Sequence, residues 1–168
     1  MVSKSEGKES SKARSKNTLI ATLLIVIVIV AVGAVAVLIL NRPHPASPLI
    51  MHTMQIVNGN ETVNGGAYLD YPFTVPSGAS SVSVGGTFTA SGGSYNDIKV
   101  YVFDSTNFNY YKNGQNFTSL YQSGQTTTGN IGASIVSSGN YYLVLDNKFS
   151  TTSQKTVDIQ SDFGYYTN

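Results

Sequence analysis

Residues 67–75 read AYLDYPFTV, and their alternation decides the fold class. Leu69, Tyr71, Phe73 and Val75 fall on one side of an extended chain, and Tyr68, Asp70, Pro72 and Thr74 on the other. Successive side chains of a strand point to opposite faces, so the first set is the core face of a half-buried strand. The same test works outward. Ile98, Val100 and Val102 alternate with Lys99, Tyr101 and Phe103 in IKVYVFDS, a strand with at least one buried face. Val82, Val84 and Phe88 mark another, with Gly85-Gly86 predicting a bulge or bend between its halves. Residues 140–147, NYYLVLDN, and residues 154–163, around Val157 and Ile159, complete the strong segments. Shorter ones lie at 54–57, 120–122, 126–131 and 133–136.

Turn signals separate these segments: Asn64-Gly65-Gly66, Pro76-Ser77-Gly78, Ser91-Gly92-Gly93, Asn113-Gly114 and Ser138-Gly139-Asn140. One helical turn is expected over residues 104–112, capped by Asp104 or Ser105 and stopped by Asn113-Gly114. All 11 tyrosines and 7 phenylalanines lie at or beyond Tyr68, a palette that suits a pleated, half-buried surface. The expected fold is all-β, an antiparallel β-sandwich of jelly-roll-like type over residues 49–168. About 120 residues suffice for one core and not for two. Cysteine is absent, so packing and strand pairing must hold the domain without disulfides.

Upstream the chain changes character. Residues 18–40, TLIATLLIVIVIVAVGAVAVLIL, carry no charge. As a helix they would measure about 35 Å, enough to cross the ~30 Å hydrocarbon core of a bilayer. The flank before them holds Lys4, Lys8, Lys12, Arg14 and Lys16 against Glu6 and Glu9. Basic flanks stay in the cytoplasm, so the reading is a single-pass signal anchor in the cell membrane, with the N-terminus inside and residues 49–168 outside. Residues 1–17 are expected to be a disordered basic tail, and residues 41–48, NRPHPASP, a stiff proline-rich linker. His44 and His52 are placed with this linker region as exposed, unliganded histidines.

Three stretches carry a resemblance. YPFTVPSGASSVSVGGTFTA (71–90), NDIKVYVFDSTNF (96–108) and SSGNYYLVLDN (137–147) resemble jelly-roll domains of the pre-peptidase C-terminal type found beside secreted peptidases. NYYLVLDNKFSTTSQKTVDIQ (140–160) resembles the end of GOLD domains, where a tyrosine strand runs into an Asn, a polar loop and a Lys-Thr-Val strand. Residues 56–159 as a whole look like uncharacterised sandwich domains on membrane-anchored archaeal and bacterial surface proteins. The resemblance implies the fold and carries no chemistry of its own.

Few residues could support catalysis. With no Cys and both histidines assigned to the linker region, neither a Cys/His nor a Ser-His-Asp arrangement has a general base in the domain, and the chain is read as a non-enzyme. No cofactor is expected, since phosphate and dinucleotide loops are missing. Zinc-type spacing is absent too; the metal candidates are Asp97, Asp104 and Asp146, at strand ends, as calcium ligands. From residue 49 onward four lysines face seven acids, a net charge of −3, which lacks the basic footprint nucleic acid requires. Asn60-Glu61-Thr62 and Asn116-Phe117-Thr118 are sequons, making Asn60 and Asn116 glycosylation candidates. The pairs Tyr110-Tyr111, Tyr141-Tyr142 and Tyr165-Tyr166 must each turn one ring away from the core where they lie in strands. The functional expectation is a membrane-anchored cell-surface protein whose sandwich is a non-catalytic binding or interaction module. Its partners would be the lipid bilayer and a protein or polysaccharide ligand. The alternative is a pilin-like structural subunit of a surface filament, suggested by a basic leader running into a long apolar helix with a β domain beyond.

Overall fold

The computed structural model describes Leu23, Val37 and Ser47–Asn168. Of the expected span at 18–40 only Leu23 and Val37 are described, both helical; the rest of the span, the tail at 1–17 and residues 41–46 with His44 lie outside the described residues. Among the described residues no helix is long and apolar enough to cross a membrane.

Ser47–Asn168 forms one compact unit of eight strands and one helix: β1 (Ile50–Val63), β2 (Tyr68–Val75), β3 (Ser80–Ser91), β4 (Ile98–Asp104), α1 (Ser105–Lys112), β5 (Tyr121–Thr126), β6 (Thr128–Ile135), β7 (Gly139–Asp146) and β8 (Lys155–Thr167). Two four-stranded sheets face each other, sheet A in the order β1-β8-β3-β6 and sheet B in the order β2-β7-β4-β5. Every pairing is antiparallel, and β1 pairs β8, β2 pairs β7, β3 pairs β6 and β4 pairs β5. The domain is therefore one long hairpin folded at α1. Its successive segments go alternately to sheet A and sheet B, and rolling it up adds the β3–β8 and β4–β7 contacts. That is the jelly-roll arrangement.

The alternating faces meet between the sheets. Phe73, Val75, Val84, Phe88, Val100, Leu143, Leu145, Val157, Ile159 and Phe163 are buried there, each such side chain worth about 1.5–3 kcal/mol of transfer free energy. β3 runs in unbroken register with β6 and β8 through Gly85-Gly86, so the expected break there is absent. Gly86 lies on the core face, where a Cβ would collide with the Gln160 carbonyl oxygen. Close approach of two backbones, reinforced by Ser161 Oγ donating to the Gly85 carbonyl oxygen at 3.0 Å, explains the glycine. The register shift of β3 falls instead between Ser80 and Ser83.

A second apolar layer lies outside sheet B. Tyr101, Phe103 and Val144 point away from the main core and are covered by Phe108 and Tyr111 of α1, with Tyr68 and Tyr142 alongside. Tyr142 stacks on Phe108 at 4.1 Å between ring centroids. One face of the sandwich is thus closed by a helix, and among the described residues no element covers the outer face of sheet A.

Candidate functional site

The open face of sheet A is built from the outward positions of four strands. Across the sheet, Asp158 stands beside Thr89 and Asn60, Gln160 beside Thr87 and Asn58, Asp162 beside Gly85, and Gly164 beside Ser83. On the far side of β3, Thr128, Asn130, Gly132 and Ser134 continue these rows on β6. The sequence alternates so strictly here that the apolar half of each strand is buried and the exposed half is Ser, Thr, Asn, Gln and Gly with few charges.

Toward the end of the face where β1 begins is a shallow depression of about 340 Å³ lined by Met51, Thr53, Ser83, Gly85, Gly86, Thr87, Gln160, Asp162 and Gly164. Its floor is low because Gly85 and Gly164 carry no side chain; around a Cβ at Gly85 there is open space. Three hydroxyls, one amide and one carboxylate ring this floor. Such a set can hydrogen-bond a neutral polar ligand, and Asp162 adds a single negative charge.

The calcium candidates are not brought together. Asp97, just ahead of β4, is buried and forms a 2.7 Å ion pair with Lys155, itself 2% exposed, while Gln125 donates to its other oxygen. Burial pushes the Asp97 carboxyl up, but the hydrogen bonds from Lys155 and Gln125 and the Lys155 charge hold it below its ordinary range. Asp104 caps α1: its Oδ1 accepts from the Asn107 backbone N–H at 2.7 Å and its Oδ2 from the Asn107 amide at 2.9 Å. Asp146 ends β7 and accepts from the Lys148 N–H at 2.8 Å. Each carboxylate thus has a separate structural partner, and among the described residues no three acidic, His or Cys side chains are grouped to hold an ion.

The tyrosine pairs split as alternation requires. Tyr141 and Tyr165 are buried in the sandwich, and Tyr142 and Tyr166 turn to the outer faces. Only the outcome on sheet B differs from an exposed aromatic patch, because α1 covers it. Burial pushes the hydroxyls of Tyr68, Tyr101 and Tyr111 up, and the negative charges of Asp70 (at Tyr68) and Asp146 (at Tyr101 and Tyr111) add to the shift. The Lys148 ammonium caps this cluster, 4.0 Å from the Tyr111 ring centroid and 4.6 Å from that of Tyr68.

His52 belongs to β1 and not to the linker. It is half-buried, stacked on Tyr165 at 4.9 Å, with Nε2 3.0 Å from Thr167 Oγ1. Pairing with β8 draws the strand back to Ile50 and carries His52 into the sandwich. Its ring is held by a hydroxyl and an aromatic, without a carboxylate partner. The sequon asparagines are both exposed, Asn60 on β1 beside Asp158 and Asn116 in the loop after α1. Thr118 of the second sequon donates through its N–H and Oγ1 to Asn107 Oδ1, at 2.9 and 3.1 Å.

One residue of consequence escaped the reading of the sequence. Asn147 is fully buried, and its Nδ2 lies 3.2, 3.1 and 2.8 Å from the carbonyl oxygens of Val63, Asn64 and Ser153. Its backbone also bonds the turn at Gly66 and Ala67. It ties the ends of β1 and β7 and the loop into β8 at one pole.

No family model and no curated protein matches the chain. Among solved structures, the sandwich is similar to a chain of the disulfide-linked pili that form Bacillus endospore appendages, at 8% identity and a TM-score of 0.43, covering 76% of this chain and 99% of that one. It is also similar to chains of infectious bursal disease virus. The Gx strain structure matches at 8% identity and a TM-score of 0.38, covering 75% of this chain and 34% of the viral one. The VP2 subviral particle matches at 8% and 0.39, covering 76% and 37%. The match spans about a third of the length of these viral chains. The likeness is one of all-β sandwich architecture.

Proposed function

We propose that the chain is a single-pass, membrane-anchored cell-surface protein whose sandwich is a non-catalytic binding module, with the open face of sheet A as its contact surface. The observation that supports this reading is the glycine-floored depression on that face, the one broad sheet surface without a helix over it among the described residues. Its hydroxyls, the Gln160 amide and the single Asp162 carboxylate favour a neutral, hydroxyl-rich ligand such as a polysaccharide. Anchoring rests on residues 18–40 and their basic flank.

The test is binding of the protein to an array of neutral and charged glycans, against a Gly85→Tyr variant. Open space around the Gly85 Cβ position lets the variant fold, while the ring fills the depression. Binding to neutral glycans by the native protein and its loss in Gly85→Tyr is the expected result. Equal binding by both would remove the depression from the account, and capture of a protein ligand with no glycan bound would replace the ligand class. The pilin-like alternative has its own discriminator: a mature N-terminus beginning near Asn17 would favour a filament subunit, and an intact or Met-trimmed start favours the anchor.

A further inference from the structure

One end of the sandwich differs from the rest of the domain in its chemistry. It is made by the start of β1, the β2–β3 turn, the β6–β7 turn and the end of β8, which the register brings together: Met51 lies beside Tyr166, Tyr166 beside Ser80, Val82 beside Ile135, and Val75 beside Gly139. Residues 47–54, 76–83, 134–141 and 163–168 contain no Asp, Glu, Lys or Arg. The nearest acids are turned to other tasks or lie a row away. Asp104, opposite Tyr141, spends both oxygens on the α1 cap, and Asp162 faces the open side of sheet A.

The same end gathers exposed apolar side chains. Leu49 is 60% exposed, Ile50 55%, Met51 63%, Met54 51% and Val136 99%. Among the described residues of the domain, Leu120 is the one other exposed large non-aromatic apolar side chain. Exposed apolar side chains at both edges of one end of sheet A, in an otherwise polar surface, mark that end as a contact site. Tyr166, half-exposed beside Met51, adds a ring of the amphipathic kind favoured where membrane meets water.

We propose that this uncharged pole rests on the lipid headgroup region of the membrane that carries the chain; the inference rests on reading residues 18–40 as the membrane span. The apolar run ends at Leu40 and the pole begins at Leu49, so eight linker residues separate them. Even fully extended as polyproline II they reach only about 25 Å. A tether that short gives the pole a high effective concentration at the surface, and a weak apolar contact then suffices. The composition fits as well, since no Asp, Glu, Lys or Arg side chain of these segments has to be desolvated among the headgroups. A second copy is a poorer occupant. Two chains anchored in one membrane with the same orientation are related by an axis normal to it, so they cannot meet pole to pole.

The absence of tryptophan from the chain supplies a clean reporter. The full chain, reconstituted in phosphatidylcholine vesicles, is compared as two variants: Val136→Trp at the pole, and Tyr95→Trp in the β3–β4 loop at the opposite end, where Tyr95 is 78% exposed. Lipids spin-labelled in the headgroup region are the quencher. Both variants should float with the vesicles, with quenching several-fold stronger for Val136→Trp, and adding Met51→Asp should weaken it. Flotation of both with equal, low quenching would overturn the pole contact while leaving the anchor intact. Failure to float would overturn the anchor, and the pole contact with it.

Discussion

Single residues at the end of the sandwich opposite the linker hold its loops by buried polar contacts rather than by apolar packing. Asn147 offers its amide to three carbonyl oxygens, two at the distant end of β1 and one in the loop into β8. In Asn147→Ala these acceptors lose their donor, at a cost of about 2–3 kcal/mol, read as a lower midpoint in urea unfolding. Asn147→Asp should be worse, because it aims a carboxylate at those same oxygens; a midpoint unchanged in both variants would remove Asn147 from the account. Asp97 makes a complementary prediction about pH. Its carboxyl is held low in the folded state, so the stability it contributes is complete above its unfolded pKa of about 3.9 and is lost as the pH falls through the lower folded value. Asp97→Asn leaves Lys155 buried without its counter-charge and should cost about 3 kcal/mol or more at neutral pH. Its unfolding should also depend less on pH below about 4 than that of the native protein. Parallel pH profiles would contradict the assignment. None of this pole was legible beforehand: apart from Ser153, six residues on, the partners of Asn147 and Asp97 lie tens of residues away, and no periodicity marks them.

Elements were legible where one face is apolar and the other polar. AYLDYPFTV and IKVYVFDS became β2 and β4 at nearly the expected bounds. β1 was expected only at 54–57, and the Asn58-Gly59-Asn60 that follows has the composition of a turn. In the sheet that stretch continues as strand, opposite Gln160, Ile159 and Asp158, so pairing with β8 overrides the local signal. Thr128–Ile135 is one strand where two fragments were expected, for a similar reason: pairing with β3 carries it through Gly132. A single helical turn capped by Asp104 or Ser105 was anticipated, and Asp104 is the cap of an eight-residue helix; its place over sheet B was not, since its cover of Tyr68, Tyr101 and Tyr142 is set by topology. Asp104→Ala removes the cap and should cost about 1 kcal/mol. Because α1 shields an aromatic layer, the near-ultraviolet circular dichroism of those tyrosines should weaken before the sandwich melts. A single transition, with both signals unchanged from the native protein, would mean that α1 does not depend on its cap.

For the whole molecule, the sandwich follows from strand count and turn spacing, whereas the pairing of first strand with last and the roll that makes two sheets arise only when the chain closes on itself. The candidate site shares this history. Its residues come from β1, β3 and β8 and were unremarkable one by one as Ser, Thr, Gln and Gly; the sheet makes a floor of them. The asymmetry between an open polar face, a helix-covered face and an uncharged pole beside the linker suits a domain displayed at a membrane, and display is the central claim. Protease added to intact cells tests it most directly, with antibodies against residues 1–17 and against the domain. The account predicts that the domain epitope is lost, its linker at residues 41–48 being cut, while the tail epitope survives until the cells are lysed. Loss of the tail with the domain protected would contradict it.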